Sequence, residues 1–201
     1  MAMIPRNQGK RALDTMDLRK SLEFVKYVKT AVRDEFRKIK REIIQEFDEH
    51  LVTREIEAGP NAENISRTLG GRGNLFSFIG FNKGDKPTLP IRQAFEDMTL
   101  TSTIVRRNGS SESQILYPSK DDIFKVTPMP WAEGRSWAAG IEEGISNLGQ
   151  FLQKSTPDSR SGAGIQSKNQ VSQAQFSKTP YVSEILKSLE RKIQELNSSI
   201  I

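Results

Sequence analysis

The chain has 201 residues, which suits one domain or a small domain with extended arms, but not two full domains. It contains no cysteine and a single histidine, His50, so disulfides, thiolate metal sites and Ser-His-Asp triads are nearly excluded. The formal net charge is +5, and residues 1–41 hold 12 Lys and Arg against 5 Asp and Glu. This cationic excess at one end suggests a polyanion or an acidic protein surface as a neighbour. No apolar run approaches the roughly 20 residues of a membrane span, so no membrane association is expected.

The N-terminal quarter of the chain is predicted to contain an arm and a long helix. Residues 1–16 are polar and lack an apolar period, which is typical of a flexible arm. From Asp17, a candidate N-cap, apolar residues recur every three or four positions as far as Leu51. The pattern predicts one helix from residue 17 to at least residue 50, about 50 Å long at ~1.5 Å per residue. Because a small domain is narrower than this, the apolar stripe needs a partner subunit or the C-terminal helix as cover.

The middle of the chain is predicted to form a small, mainly antiparallel sheet. Residues 74–81 are almost continuously apolar and bounded by glycines, which indicates a strand buried on both faces. Residues 91–98 have the pattern of a short helix, and residues 99–107 are rich in β-branched side chains. Asn108-Gly109 is a hairpin signal, and the partner strand should include residues 114–117. Residues 119–126 resemble a short capped helix or an irregular turn, with Asp122 three residues after Ser119.

Residues 137–152 admit two interpretations. As a strand, they would place Trp137, Ala139 and Ile141 on one face; as a helix, they would align Trp137 and Ile141 with later apolar residues. Three glycines would each cost a helix roughly 1 kcal/mol relative to alanine. They favour a strand to about residue 142, followed by a short helix through Leu152.

The C-terminal quarter is predicted to contain a loop and a last helix. Residues 153–178 are polar, and either become ordered on a neighbour or lack order altogether. Thr179 and Pro180 begin the final helix, at residues 179–201, as N-cap and N1 residue. Its apolar seam can pack against the N-terminal helix or a second copy of itself. The sequence thus predicts an α+β core domain at residues 17–152, with the first and last helices packed on the sheet.

Cationic residues on the N-terminal helix are spaced by three or four positions and form a second stripe beside the apolar one. This cationic stripe is a candidate contact for a polyanion or an acidic partner, whose binding to it would weaken with salt. A solvated helix face is the alternative, because Glu23, Asp34, Glu35 and Glu42 are interleaved with the cations. The cationic stripe consists of Lys26, Lys29, Arg33, Arg37 and Lys40.

The sequence gives only weak signs of a catalytic or ligand-binding site. The glycine loop at residues 70–73 resembles a phosphate cradle, but it lacks the Gly-Lys-Ser/Thr ending of a P-loop, so a tight turn is favoured. No catalytic constellation is visible, and we expect no cofactor, no metal ion and no enzymatic activity.

Four segments carry a resemblance: GRGNLFSFIGF (71–81), TPMPWAEGRSWAAGIEEGIS (127–146), SRSGAGIQ (159–166) and TPYVSEIL (179–186). They resemble virion structural proteins of tailed bacteriophages, in the neck, head-to-tail joining and tail-completion group. The resemblance implies a non-enzymatic, ring-forming homo-oligomer that contacts portal, adaptor, tail terminator or tube proteins. It also implies a place in the virion after synthesis in the host cytoplasm, with a lumen in which the cationic stripe could meet DNA.

Two groups of residues are interface candidates on this interpretation, although an ordinary core position is the favoured alternative for the tryptophans. The alternative function is a basic, nucleic-acid-binding accessory protein. The interface candidates are Trp131, Arg135 and Trp137, and, in the polar loop, Ser161, Gly162, Gly164, Ile165 and Gln166.

Overall fold

A computed structural model describes residues 22–70, 73–106, 110–130, 132–144 and 178–199. Their architecture is α+β, with a long first helix, a last helix and two small antiparallel sheets, which confirms the predicted fold class. The elements are α1 (Leu22–Glu49), α2 (Leu51–Glu57), a 3-10 turn (Gly59–Asn61), α3 (Leu75–Ile79), α4 (Leu89–Glu96), β1 (Thr99–Val105), β2 (Ser111–Leu116), α5 (Lys120–Lys125), β3 (Pro128–Met129), β4 (Ala132–Ser136), α6 (Trp137–Glu143) and α7 (Val182–Ser199).

The long helix α1 ends one residue before the predicted limit. Its apolar side chains recur every three or four positions from Val28 to Phe47 and are buried, as the sequence period predicts. The backbone turns extended at His50, whose Nδ1 accepts a hydrogen bond from the N–H of Val52 at 3.2 Å and so caps α2. The helical direction therefore changes at His50, and the described part of α1 measures about 42 Å.

The last helix, α7, covers the apolar stripe of α1. Its first turn lies at the C-terminal end of α1, where the rings of Tyr181 and His50 are 4.8 Å apart. Further along α7, Lys192 forms ion pairs with Glu42 and Glu46, so the two helices run antiparallel. The helix begins at Val182, two residues after Pro180. The sequence left two possible covers for the apolar stripe, a partner subunit and the C-terminal helix. The structure shows the C-terminal helix.

An aromatic cluster forms the centre of the core. The buried ring of Tyr181 lies 6.2 Å from the rings of both Phe47 and Trp137, and Trp137 meets Phe81 edge-on at 5.8 Å. The Tyr181 hydroxyl shares a hydrogen bond of 2.8 Å with the Thr53 hydroxyl, and burial raises the pKa of this phenol. The cluster joins α1, α2, α6 and α7 in one core.

The prediction of a strand at residues 74–81 is wrong, because the segment forms helix α3. Asn74 accepts a hydrogen bond from the N–H of Ser77 at 2.9 Å as the N-cap, and Gly80 ends the helix with φ of 89°. Every residue of α3 is buried, so the segment has no polar face to give a helical period. Gly70 and Gly73 also have positive φ, and their loop leads into this helix instead of a strand.

The strand interpretation of residues 137–142 is also wrong, because they form helix α6. The Ser136 side chain accepts a hydrogen bond from the N–H of Ala139 at 3.1 Å, and this N-cap outweighs the low helix propensity of Gly140. Trp137 and Ile141 then share one buried helix face. The further helix predicted through Leu152 lies outside the described residues, as do the arm at residues 1–16 and residues 153–177 of the polar loop.

The hairpin and the capped helix are confirmed, and the short helix predicted at residues 91–98 is α4, which runs from Leu89 to Glu96. Strands β1 and β2 pair antiparallel, and β2 begins at Ser111, earlier than predicted. Ser119 and Asp122 form a reciprocal capping box at the start of α5. The end of α7 also touches the hairpin, because the Asn197 side chain accepts a hydrogen bond from the N–H of Ser113 at 3.0 Å. This hydrogen bond ties β2 to the last helix.

Candidate functional site: a cationic groove

The cationic stripe lies on the surface of α1. Lys26, Lys29, Arg33 and Arg37 are exposed, whereas Lys40 is half-buried. The exposed positions follow from the helix geometry, because the apolar stripe beside them faces the core. The structure thus brings the predicted candidates together on one face, within reach of a large ligand.

Four of these cations form one wall of an open groove of about 600 Å³ between α1 and β1. The groove is lined by Lys29, Arg33, Arg37 and Lys40, with Phe36 between them, and by residues 100–103 of β1. Phe36 is buried and Leu100 is half-buried, so an apolar surface lies beside the charges. Lys26 continues the stripe but does not line the groove.

Lys40 fixes the groove at the start of β1. Its Nζ donates a hydrogen bond to the backbone carbonyl of Met98 at 3.1 Å, one residue before β1 begins. The neighbouring Met98 side chain is buried in the core. One cation of the stripe therefore has a positioning role, and it holds β1 beside α1.

The strand that forms the other wall is irregular and polar. The register with β2 shifts between Leu100 and Ser102, so Thr101 is an extra residue in β1. The Thr101 hydroxyl donates to the backbone carbonyl of Gln114 at 2.9 Å, and the Ser102 hydroxyl donates to its side-chain Oε1 at 3.4 Å. In the described part of the chain β1 pairs with β2 alone, so its second edge has no strand partner.

The charge in this groove has one sign. None of the described residues lining it is acidic, although Arg37 forms an exposed ion pair with Asp34 at 3.2 Å. A larger groove of about 830 Å³ between α1 and α7 has mixed charges, including Glu46, Glu184 and Arg191. Clustered charge of one sign raises the local concentration of anionic ligands, so the groove on β1 is the stronger candidate site.

The remaining interface candidates are separated from this groove. Arg135 is exposed on β4, beside Asp121 and Lys125 of α5. Trp137 is only 1% exposed and packs in the core, so its assignment as an interface residue is wrong: the ring satisfies its packing within the chain. The other candidates, Trp131 and the loop residues Ser161, Gly162, Gly164, Ile165 and Gln166, lie outside the described residues.

Sequence reasoning missed the buried carboxylate of Glu55. It accepts hydrogen bonds from the backbone N–H groups of Leu75 at 2.8 Å and Ser66 at 2.9 Å, and from the side-chain amide of Asn64. The signal was present, because Glu55 falls between Val52 and Ile56 on the inward face of α2. Its role is to hold the long connection between α2 and α3.

Two kinds of site are absent from the part of the chain that the structure describes. No group of three or more His, Asp or Glu side chains there is arranged to hold a metal ion. None of the described helices combines the length and apolar character that crossing a bilayer requires.

The comparisons with protein families, curated proteins and solved structures give no match to this chain.

Proposed function

We propose that this chain is a structural subunit of a tailed-phage virion, which forms a ring in the neck or tail and joins head and tail components. The observation that carries the proposal is the open cationic groove, one wall of which is a strand edge that no other described strand pairs with. The groove is open and all its charges are positive, which suits a neighbouring macromolecule better than an enclosed small molecule. The resemblance of four segments to head-to-tail joining proteins supports the phage setting, with portal, adaptor, tail terminator or tube proteins as neighbours.

Exposed apolar side chains at the start of α1 also support an assembly role. The first turns of α1 bury Val28, but they also carry apolar side chains that the chain leaves exposed. In that region Leu22 is 88% exposed and Tyr27 is 71% exposed. Exposed apolar surface of this kind favours association, because a second copy or a neighbouring protein that covers it removes it from water.

Light scattering of the purified full chain tests the proposal. We expect a mass several times that of one chain, and closed rings in negative-stain electron microscopy, because head-to-tail contacts whose rotation closes generate rings. A single-chain mass over the whole accessible concentration range would contradict the proposal.

The exposed cationic stripe favours a second candidate, a nucleic-acid-binding accessory protein. Lysine and arginine side chains at helical spacing can neutralise phosphates, and such binding falls steeply as salt increases. A single-chain mass together with salt-sensitive, sequence-independent binding to duplex DNA would favour this candidate over the structural subunit.

A further inference from the structure

We infer that the groove between α1 and β1 binds an extended, acidic peptide segment of a neighbouring protein, added as a strand to the open edge of β1. The inference rests on the proposed function, because an assembly subunit has protein neighbours. It goes further by giving the chemistry of the segment that binds and the way in which it binds.

The backbone of β1 supplies the first part of the site. Four consecutive residues, 100–103, line the groove. Helix α1 packs against β1 and α7 packs against β2, so the groove between α1 and β1 lies on the side of β1 that faces away from β2. Because β2 occupies the other edge, this one offers N–H and C=O groups to an incoming strand.

The cations of α1 supply the second part of the site. Lys29, Arg33 and Arg37 are spaced by four residues, or about 6 Å along the helix. Alternate residues of an extended strand are about 7 Å apart, so acidic side chains at every second position would meet successive cations. The apolar surface of Phe36 and Leu100 lies between the two walls.

A peptide fits this groove better than a nucleic acid does. A strand edge presents carbonyl oxygens as well as N–H groups, and a peptide backbone supplies a donor for each carbonyl and an acceptor for each N–H. Phosphate oxygens only accept hydrogen bonds, so they would leave the carbonyls on the β1 edge without donors. The edge therefore favours a polypeptide, while the cations select an acidic one.

The two long segments of this chain outside the described residues are poor occupants by charge. Residues 1–21 hold five Lys and Arg against two Asp, and residues 145–177 hold three against one. Both segments are cationic and would be repelled by the cationic wall. Charge complementarity thus points to a segment of a different protein.

Binding of a fluorescein-labelled peptide with alternating glutamate and valine, measured by fluorescence anisotropy with the full chain, tests the inference. Two further peptides carry N-methyl groups on one or the other set of alternate residues, so each blocks one edge of the added strand. We expect one N-methylated peptide to bind at least about tenfold more weakly and the other to bind nearly as well as the parent. Equal binding of the two, or no binding of the parent, would overturn the inference.

A pair of double variants locates the binding. Arg33→Gln with Arg37→Gln removes two cations from the groove, and Lys26→Gln with Arg41→Gln removes the same charge from exposed positions outside it. We expect a loss of about tenfold or more for the first pair and less than about threefold for the second. Equal losses would overturn the inference, because they would indicate attraction by net charge alone.

Competition with duplex DNA distinguishes a peptide ligand of the groove from a nucleic-acid ligand. The inference predicts that DNA displaces the peptide weakly, and that peptide binding persists at salt concentrations at which DNA binding is lost. Tight DNA binding that requires Arg33 and Arg37, without peptide binding, would overturn it. Rings that do not bind the peptide would refute this inference alone, whereas a single-chain protein that binds it would refute only the proposed ring.

Discussion

His50 connects the first two helices through its neutral form. Its Nδ1 accepts the hydrogen bond that caps α2, and a ring nitrogen can accept only when it carries no proton. Burial against Tyr181 lowers the pKa of His50, and the nearby carboxylate of Glu184 partly opposes this effect. The structure therefore stabilises the uncharged imidazole.

This arrangement makes stability depend on pH. Because the pKa of His50 is lower in the folded chain than in the unfolded chain, its contribution is complete above about pH 6.5 and is lost as the pH falls below that value. In His50→Asn, the side-chain oxygen can keep the cap without titrating. We expect urea unfolding between pH 7.5 and 5.5 to show a smaller loss of stability for this variant than for the native chain. Parallel losses in both proteins would contradict the role of His50.

Glu55 is the second residue whose chemistry dominates its surroundings. Its side chain is fully buried and accepts hydrogen bonds from two backbone N–H groups. Removing it leaves those donors buried and unpaired, which costs about 1–3 kcal/mol for each. The connection from α2 to α3 therefore depends on one carboxylate.

Glu55→Ala should lower the free energy of unfolding by about 3 kcal/mol or more, measured by urea denaturation. The matched control is Glu63→Ala, because Glu63 is an exposed carboxylate in the same connection and its loss should change stability by no more than about 0.5 kcal/mol. Similar values for the two variants would show that Glu55 has no special role.

At the scale of the elements, two short helices have N-cap hydrogen bonds but no clear alternation of apolar and polar faces along the sequence. α3 and α6 have 5 and 7 residues, and their flanking side chains, Asn74 and Ser136, make the N-cap hydrogen bonds. Isolated helices this short are marginal in water, so packing stabilises them. Trp137 provides much of that packing, because it contacts both Phe81 and Tyr181.

Trp137→Ala should destabilise the chain by about 3–5 kcal/mol, because it leaves a cavity where α6 meets the aromatic cluster. Leu89→Ala is the control: it shortens an apolar side chain that is already 53% exposed at the start of α4, so its effect should stay below about 1 kcal/mol. Thermal and urea unfolding measure both variants. A small effect at Trp137 would indicate that the tryptophan is not part of the core, contrary to its burial.

At the scale of the whole molecule, the described surface differs from end to end. The first turns of α1 expose Leu22 and Tyr27, and the cationic groove lies further along the same helix. The C-terminal part of α1 is covered by α7. Helix α1 thus carries both the exposed apolar side chains and the cationic groove, the two features that suit contact with a neighbouring protein.

If copies of the chain associate through the start of α1, Leu22→Ser with Tyr27→Ser should shift the mass measured by light scattering toward that of one chain. Leu89→Ser, an exposed apolar residue on another element, should leave the mass unchanged. An unchanged mass in the double variant would place the contact between copies elsewhere.

The sequence by itself determined the elements whose pattern is local. The period of α1, the β-branched residues and turn signal of the hairpin, and the Ser119–Asp122 capping box each arise from backbone geometry within a few residues. The cationic stripe could also be predicted from the sequence, because residues three or four apart share a helix face.

Only the tertiary structure decided the rest. Residues 74–81 are buried throughout, so no polar face gives a period that separates a helix from a strand. Residues 137–143 fit both periods, and the N-cap at Ser136 and the buried face of α6 decide for the helix. The groove exists because β1 packs beside α1, a contact to which Lys40 adds a hydrogen bond to the carbonyl of Met98, 58 residues away. Such contacts are selected by the burial and hydrogen bonding of the whole chain, which no local pattern records.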